Sequence, residues 1–408
     1  MAEKDEKPEI RFTGFTDAWE QRKLGDYIVP FSEVTTENNQ YPVLTSSRKG
    51  LFLQTDYYDG HQIASADNTG YNIVPRGFFT YRHMSDDEIF KFNINNLVDF
   101  GIVSTLYPVF TTNSELDSKF LQYQLNEGAE FQKFANLQKQ GGSRTYMYLS
   151  KLKELKLTMP KTVGEQKSIS GFFAKLDNLI TLRQRKYDKL VNVKKSMLEK
   201  MFPKVGANVP EIRFAGFTDA WEQRRLSDIS DKVIEKNATL QFTETFTNSA
   251  EFGIISQRDF FDHDISNIEN LGGYYVVKNE DFVYNPRISN SAPVGPINRN
   301  KLGRNGVMSP LYTVFQTHDI DNTFLEQYFK SRHWHSYMKL NGDSGARSDR
   351  FSIKDSVFFE MSIPYPNLKE QLKIGEYLTQ LDDLITLHQR GLEKLKIIKK
   401  SMLEKMFV

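Results

Sequence analysis

Apolar side chains recur in alternating steps of four and three at Ile169, Phe173, Leu176, Ile180, Tyr187, Leu190, Met197 and Met201, with Arg183 and Lys194 completing the series. The same phase returns at Ile374, Leu378, Leu381, Ile385, Leu392, Leu395, Met402 and Met406, with His388 and Lys399 at the matching polar positions. A heptad-like period sustained this long is that of a helix packed along one seam. Two seams in one phase predict two long helices that pack on each other. No proline interrupts 165–202 or 370–407, so each helix can run about 50 to 55 Å at 1.5 Å per residue.

Elsewhere the period changes. Segments 71–74, 77–81, 274–277 and 282–284 are aromatic and β-branched and are bounded by Gly, Pro and Asn, as strands are. Segments 116–126 and 324–338 show helical spacing of apolar residues. The regions before each long helix therefore read as α+β domains. The predicted organisation is a first domain over 1–164, a long helix over 165–203, a linker over 204–209, a second domain over 210–369 and a second long helix over 370–408.

The chain also contains two copies of itself, which is the first thing to look for in a chain of this length. Pro8-Glu9-Ile10-Arg11-Phe12-Thr13-Gly14-Phe15-Thr16-Asp17-Ala18-Trp19-Glu20-Gln21-Arg22 returns 202 residues later, from Pro210 to Arg224, with Ala215 in place of Thr13 as the one difference. The long-helix block returns 205 residues later, and both copies end in Lys-Lys-Ser-Met-Leu-Glu-Lys-Met-Phe. Between these blocks only scattered matches survive, such as Phe120-Leu121 with Phe324-Leu325 and Arg144 with Arg347. The framework is duplicated and the loops it carries have diverged.

Composition narrows the function classes. At 408 residues, with 39% hydrophobic and 26% charged residues, the chain belongs with globular proteins and is long enough for two cores. Its start, Met1-Ala2-Glu3-Lys4-Asp5-Glu6-Lys7, lacks the apolar stretch of a signal peptide and no later run is long enough to span a membrane, so a cytoplasmic location is expected. There is no cysteine, and the seven histidines show no ligand spacing, so no metal site is expected. The net charge of +1 is unlike that of most nucleic-acid binders, but its distribution is uneven. Residues 131–153 and 282–317 contain no Asp or Glu and several cations each, which suits a phosphate-facing surface as well as a solvated one.

No catalytic constellation emerges. Asn285-Pro286-Arg287-Ile288 lacks the second proline and aromatic that adenine methyl transfer uses, and neither a glycine-rich cofactor loop nor a phosphate loop is present. The Glu-x-Lys strings Glu154-Leu155-Lys156 and Glu165-Gln166-Lys167 arise readily by chance in so charged a chain. Residues suited to reading DNA are better represented, since Arg and Lys pair with guanine, Asn and Gln with adenine, and hydroxyls with phosphate. The candidates are Ser47, Arg48, Lys49, Tyr81, Arg82, Lys139 and Arg144 in the first half, and Arg258, Tyr284, Arg287, Arg299, Arg304 and Arg347 in the second. Taken singly, each loop also reads as a solvated turn, and for Arg144 and Arg347 scaffold pairing competes with phosphate contact.

Together the duplicated half, the Trp-Glu-Gln-Arg-x-Leu string at Trp19 and Trp221, Met159-Pro160 and Ile363-Pro364 followed by Glu165-Gln166 and Glu370-Gln371, and the Leu-Asp-x-Leu-Ile-Thr-Leu helix at Leu176 and Leu381 resemble the specificity subunit of Type I restriction-modification systems over essentially the whole chain. The resemblance implies a tandem duplication of an α+β target-recognition domain followed by a long helix, the two helices packing as an antiparallel coiled coil. It implies a non-catalytic subunit that reads a split, asymmetric site in double-stranded DNA, one domain per half-site. Leu176, Ile180, Tyr187, Leu190, Met197, Leu381, Ile385, Leu392, Leu395 and Met402 would form the helix packing and the platform for two modification subunits. A helix of about 50 Å would set a spacer of roughly one and a half turns of B-DNA at about 34 Å per turn. S-adenosylmethionine, ATP and Mg2+ would belong to the modification and restriction subunits and none to this chain. The alternative is a duplicated coiled-coil adaptor for proteins, which would show no salt-dependent affinity for duplex DNA.

Overall fold

The first heptad series becomes one unbroken helix of 38 residues, Val163–Lys200, and the second one of 39 residues, Leu368–Met406. They are seen in a computed structural model that describes residues 7–61, 63–139, 144–261, 268–343 and 349–407. The chain divides into two compact units, residues 1–183 with 391–408, and residues 184–390.

In the first unit, strand Glu20–Lys23 pairs antiparallel with Lys156–Met159. A four-stranded antiparallel sheet follows in the order Ile28–Phe31, Val109–Thr112, Phe79–Thr80, Asn93–Ile94. Its inner face stacks Phe79 on Phe110 at 4.7 Å. Helices Ser118–Glu127 and Ala129–Leu137 close the core. Gly128 between them is required by crowding, because a Cβ there would lie 2.4 Å from the Gln124 carbonyl oxygen. Phe173 of the first long helix stacks on Phe407, and Asp177 pairs with Lys399 at 2.8 Å, so the two helices run antiparallel here.

The second unit repeats this plan from a divergent sequence. Glu222–Arg225 pairs with Ser362–Tyr365, and the four-stranded sheet runs Ser230–Lys232, Thr313–Thr317, Phe282–Tyr284, Ile297–Arg299. Phe282 stacks on Phe315 where the first unit has Phe79 on Phe110. Lys194 pairs with Asp382, so the polar seam position expected at Lys194 and Lys399 serves in each unit to hold an aspartate of the opposing helix. The predicted single helix over 324–338 is instead two, Asn322–Lys330 and His335–Asn341. Ser331 turns extended, and the Trp334 indole donates to the carbonyls of Phe329 and Ser331, satisfying acceptors at the first helix's end.

Each unit ties its N-terminal segment to the foot of a long helix. Arg11 donates twice to Glu165, at 2.6 and 2.8 Å, with Trp19 Nε1 adding a third bond at 3.2 Å. Arg213 donates twice to Glu370, at 2.7 and 2.8 Å. The next residue caps a helix: Gln166 accepts from the Asp117 N–H and Gln371 from the Asp321 N–H, both at 2.8 Å, while each aspartate caps its own helix. This explains why the Glu-Gln pairs are duplicated without invoking chemistry.

Burial pushes the Asp281 carboxyl up to about 6, despite a bond from the Lys278 N–H at 2.7 Å. An acid whose pKa rises on folding favours the folded state most when protonated, so its contribution is full below about pH 4 and is lost as pH rises through 6. The substitution D281N is expected to stabilise the protein by up to about 3 kcal/mol at pH 8 and by little at pH 4. Urea midpoints at both pH values test this; an equal difference at both would contradict it.

Candidate nucleic-acid interface

The first-half candidates converge on a tight hairpin. Strands Leu44–Ser47 and Gly50–Leu53 pair so that Arg48 and Lys49 form the two-residue tip. Ser47 Oγ accepts from the Lys49 N–H and donates to the Gly50 carbonyl, both at 3.1 Å, which shapes the turn. Asn93 of the central sheet donates to Ser46 Oγ at 2.9 Å and to the Ser47 carbonyl at 3.0 Å, fixing the tip to the scaffold. Beside it a cavity of about 600 Å³ is lined by Arg48, Lys49, Tyr57, Tyr58, Arg82 and Tyr107. Cations and aromatic faces around one concavity can hold phosphates and stack on bases.

The second unit builds the same hairpin with other residues at its tip. Phe246–Ser249 pairs with Gly253–Ser256, and Asn298 donates to Asn248 Oδ1 at 2.7 Å and to the Ser249 carbonyl at 3.1 Å. The tip is Ala250-Glu251-Phe252, with Phe252 exposed. Arg258 follows on the short helix Gln257–Phe261 and its charge helps hold Glu244 below the usual carboxylate range, after the larger effect of the bonded Arg304. Arg287 is exposed beside Arg350, with which it forms an isolated antiparallel bridge.

Three candidates are corrected by burial. Tyr81 is fully enclosed and its hydroxyl donates to the Met147 carbonyl at 2.8 Å. Tyr284, its counterpart, is enclosed and donates to the Val294 carbonyl at 2.9 Å. Burial raises both phenols, and both are core residues that present nothing to DNA. Arg299 is only 9% exposed and is spent on Glu326 at 2.6 Å and Glu280 at 2.9 Å.

Other candidates are at the surface but engaged. Arg48 pairs with Asp87, Lys139 with Glu88 at 2.6 Å, Arg144 with Asp86 at 2.8 Å, and Arg304 doubly with Glu244 at 2.7 Å. Lys49, Arg82 and Arg287 are exposed and form no ion pair among the described residues. Arg347 lies outside the described residues. The sequence reading missed the hairpin tip 250–252, the tyrosines at 57 and 58, and the acids at 86–88. Hairpin position was the absent signal, since Ser47 and Ser249 are aligned only once the paired strands are seen.

On the long helices, Leu176, Ile180, Tyr187, Leu190, Met197, Leu381, Ile385, Leu392, Leu395 and Met402 are all buried or half-buried. The duplicated Leu-Ile-Thr-Leu string leaves other leucines in solvent. Leu179 and Leu182 are 52% and 61% exposed in the first unit, and Leu384 and Leu387 are 43% and 62% exposed in the second. Among the described residues no cluster of His, Asp or Glu could hold a metal, and no helix is long and apolar enough to cross a membrane.

Comparison with known proteins gives consistent findings. The family model described as the Type I restriction modification DNA specificity domain matches twice, at residues 16–192 and 218–396. The Type I restriction enzyme MjaVIII specificity subunit of Methanocaldococcus jannaschii is 24% identical over 327 residues, covering 74% of this chain and 72% of its own. The crystal structure of a Type I restriction-modification system S subunit from M. genitalium superposes with a TM-score of 0.53 at 13% identity, covering 98% of this chain and 99% of its own, a likeness of fold.

Proposed function

The chain belongs to the family of Type I restriction-modification DNA specificity proteins, and we propose that it is the non-catalytic subunit that reads a split, asymmetric site in double-stranded DNA for two modification subunits. One observation carries this reading: the same asparagine-pinned hairpin occurs in both units with different tips, Arg48-Lys49 in one and Ala250-Glu251-Phe252 in the other. A shared scaffold supports similar docking on a duplex, and unlike tips support unlike half-sites.

The exposed pairs Leu179 with Leu182 and Leu384 with Leu387 support two equivalent docking sites for one kind of partner. Apolar residues repeated in both copies yet left in solvent fit a modification subunit bound at each. Those subunits would bring S-adenosylmethionine, and restriction subunits would bring ATP and Mg2+; the complex would work in the cytoplasm. The double substitution L179E/L182E is expected to remove one of the two modification subunits while leaving the chain folded. Mass measurement of the purified complex checks this, and an unchanged stoichiometry would contradict the docking role.

The direct test is co-purification with a candidate modification subunit followed by mapping of methylated adenines in DNA exposed to the complex. A split methylated motif that depends on this chain is the expected outcome. A stable complex with neither methylation nor DNA affinity would replace the recognition role with that of a protein adaptor.

A further inference from the structure

Three consecutive acids in the first unit each hold a cation from a different part of the chain. Asp86 takes Arg144, Asp87 takes Arg48 at the hairpin tip, and Glu88 takes Lys139 at the end of the segment that follows Ala129–Leu137. All three cations are about half exposed, so the pairs lie at the surface where a duplex could reach them. Asp86 and Asp87 line the same cavity as Lys49 and Arg82.

The acids are held in place. Ser85 Oγ donates to Asp87 Oδ1 at 2.9 Å and the Ile89 N–H reaches the same oxygen at 3.4 Å. The bonds from Arg48 and Ser85 bring the Asp87 carboxyl down to about 2, so it remains charged throughout the neutral range. Glu88 sits at φ +60, a left-handed conformation uncommon outside Gly, Asn and Asp, and its side chain is mostly covered. A backbone outlier at a charged loop facing a cavity is where a functional constraint is to be sought.

From this geometry we propose that Asp86, Asp87 and Glu88 set the discrimination of the first recognition domain between target and non-target DNA, by occupying Arg144, Arg48 and Lys139 until a matching duplex displaces them. The inference rests on the DNA-reading role proposed above and adds to it a means of rejecting wrong sequences. Affinity for arbitrary DNA comes from neutralised phosphates, and specificity is the difference between two affinities. A cation already paired gains little from a phosphate alone. It gains more where base contacts from the same tip hold the duplex in register.

The test uses the full-length chain with D86N/D87N/E88Q and a duplex of arbitrary sequence, with binding measured over a range of salt concentrations. The expected result is binding about tenfold tighter than wild type at low salt, with log Kd against log salt steeper by about two to three, as roughly 0.9 per additional phosphate predicts. The control E33Q/E37Q/E115Q makes the same change in net charge at exposed positions of this unit whose carboxylates hold no cation among the described residues, and is expected to leave the slope unchanged. Equal thermal melting of the variants confirms that they fold. If wild type binds with salt dependence and the acidic-loop variant does not differ from the control, the discrimination role is wrong and DNA reading stands. If neither wild type nor variant binds duplex DNA, both fail.

Discussion

Exchanging residues 27–160 for the equivalent segment of another specificity subunit is expected to change one half of the methylated motif and leave the other intact. The exchanged segment carries the whole central sheet of the first unit, the hairpin tip and the cavity beside it. Part of what it must still fit is contacts that the chain makes twice; others, such as the Tyr123 hydroxyl donating to Asp177 at 2.6 Å, have a different residue in the second unit, where Gln327 donates to Asp382 at 3.1 Å. Asp117 meets Gln166 as Asp321 meets Gln371, and Phe120 packs against Trp19 as Phe324 packs against Trp221. Strand Lys156–Met159 joins Glu20–Lys23 through backbone bonds, which do not depend on the side chains exchanged. A donor with the same repeated residues should therefore dock. Each mismatched base pair costs about 1 to 3 kcal/mol, so a new half-site differing at two positions should weaken binding to the old target by roughly 30-fold to 10⁴-fold. Mapping methylated adenines with the chimera checks this. A change in both halves of the motif would show that the two units do not read independently.

Much of the fold was legible because it was written twice. The two heptad series sustain one phase without proline, and the matching Arg-Glu and Gln-Asp positions mark contacts that both units make. The break at Ser331 was not legible, because it depends on a Trp334 indole folding back on carbonyls, while the apolar spacing continues across it. The candidate interface was read less well for a different reason. Arg48 and Asp87 are 39 residues apart, as Arg304 and Glu244 are 60 apart, so the acids that engage these cations are invisible to local charge counting. Segments 131–153 and 282–317 contain no acid, yet Lys139, Arg144, Arg299 and Arg304 all find one elsewhere in the fold. Tyr81 and Tyr284 are the instructive error. Both halves place a tyrosine two residues after the stacked phenylalanine, with its hydroxyl on a backbone carbonyl, and identity between otherwise divergent halves is what the scaffold, not the reading surface, demands.

That distinction predicts unequal effects at two matched arginines. Glu370 is fully enclosed and, among the described residues, its carboxylate is bonded by Arg213 alone, which that carboxylate holds above its ordinary pKa. Glu165 has Arg11 and also the Trp19 indole, whereas the buried Trp221 nitrogen finds no hydrogen-bond partner among the described residues. Removing one member of a buried pair leaves an uncompensated charge and costs about 3 to 5 kcal/mol. R213A should reach that range and R11A should fall below it, because one donor to Glu165 remains. Replacing both partners removes the stranded charge, so R213M/E370M should recover most of the loss. Urea unfolding of the four proteins, followed by tryptophan fluorescence, decides the matter. Equal losses for R213A and R11A, or a double variant no better than R213A, would mean that the clamp orients the N-terminal segment without its buried charge governing stability.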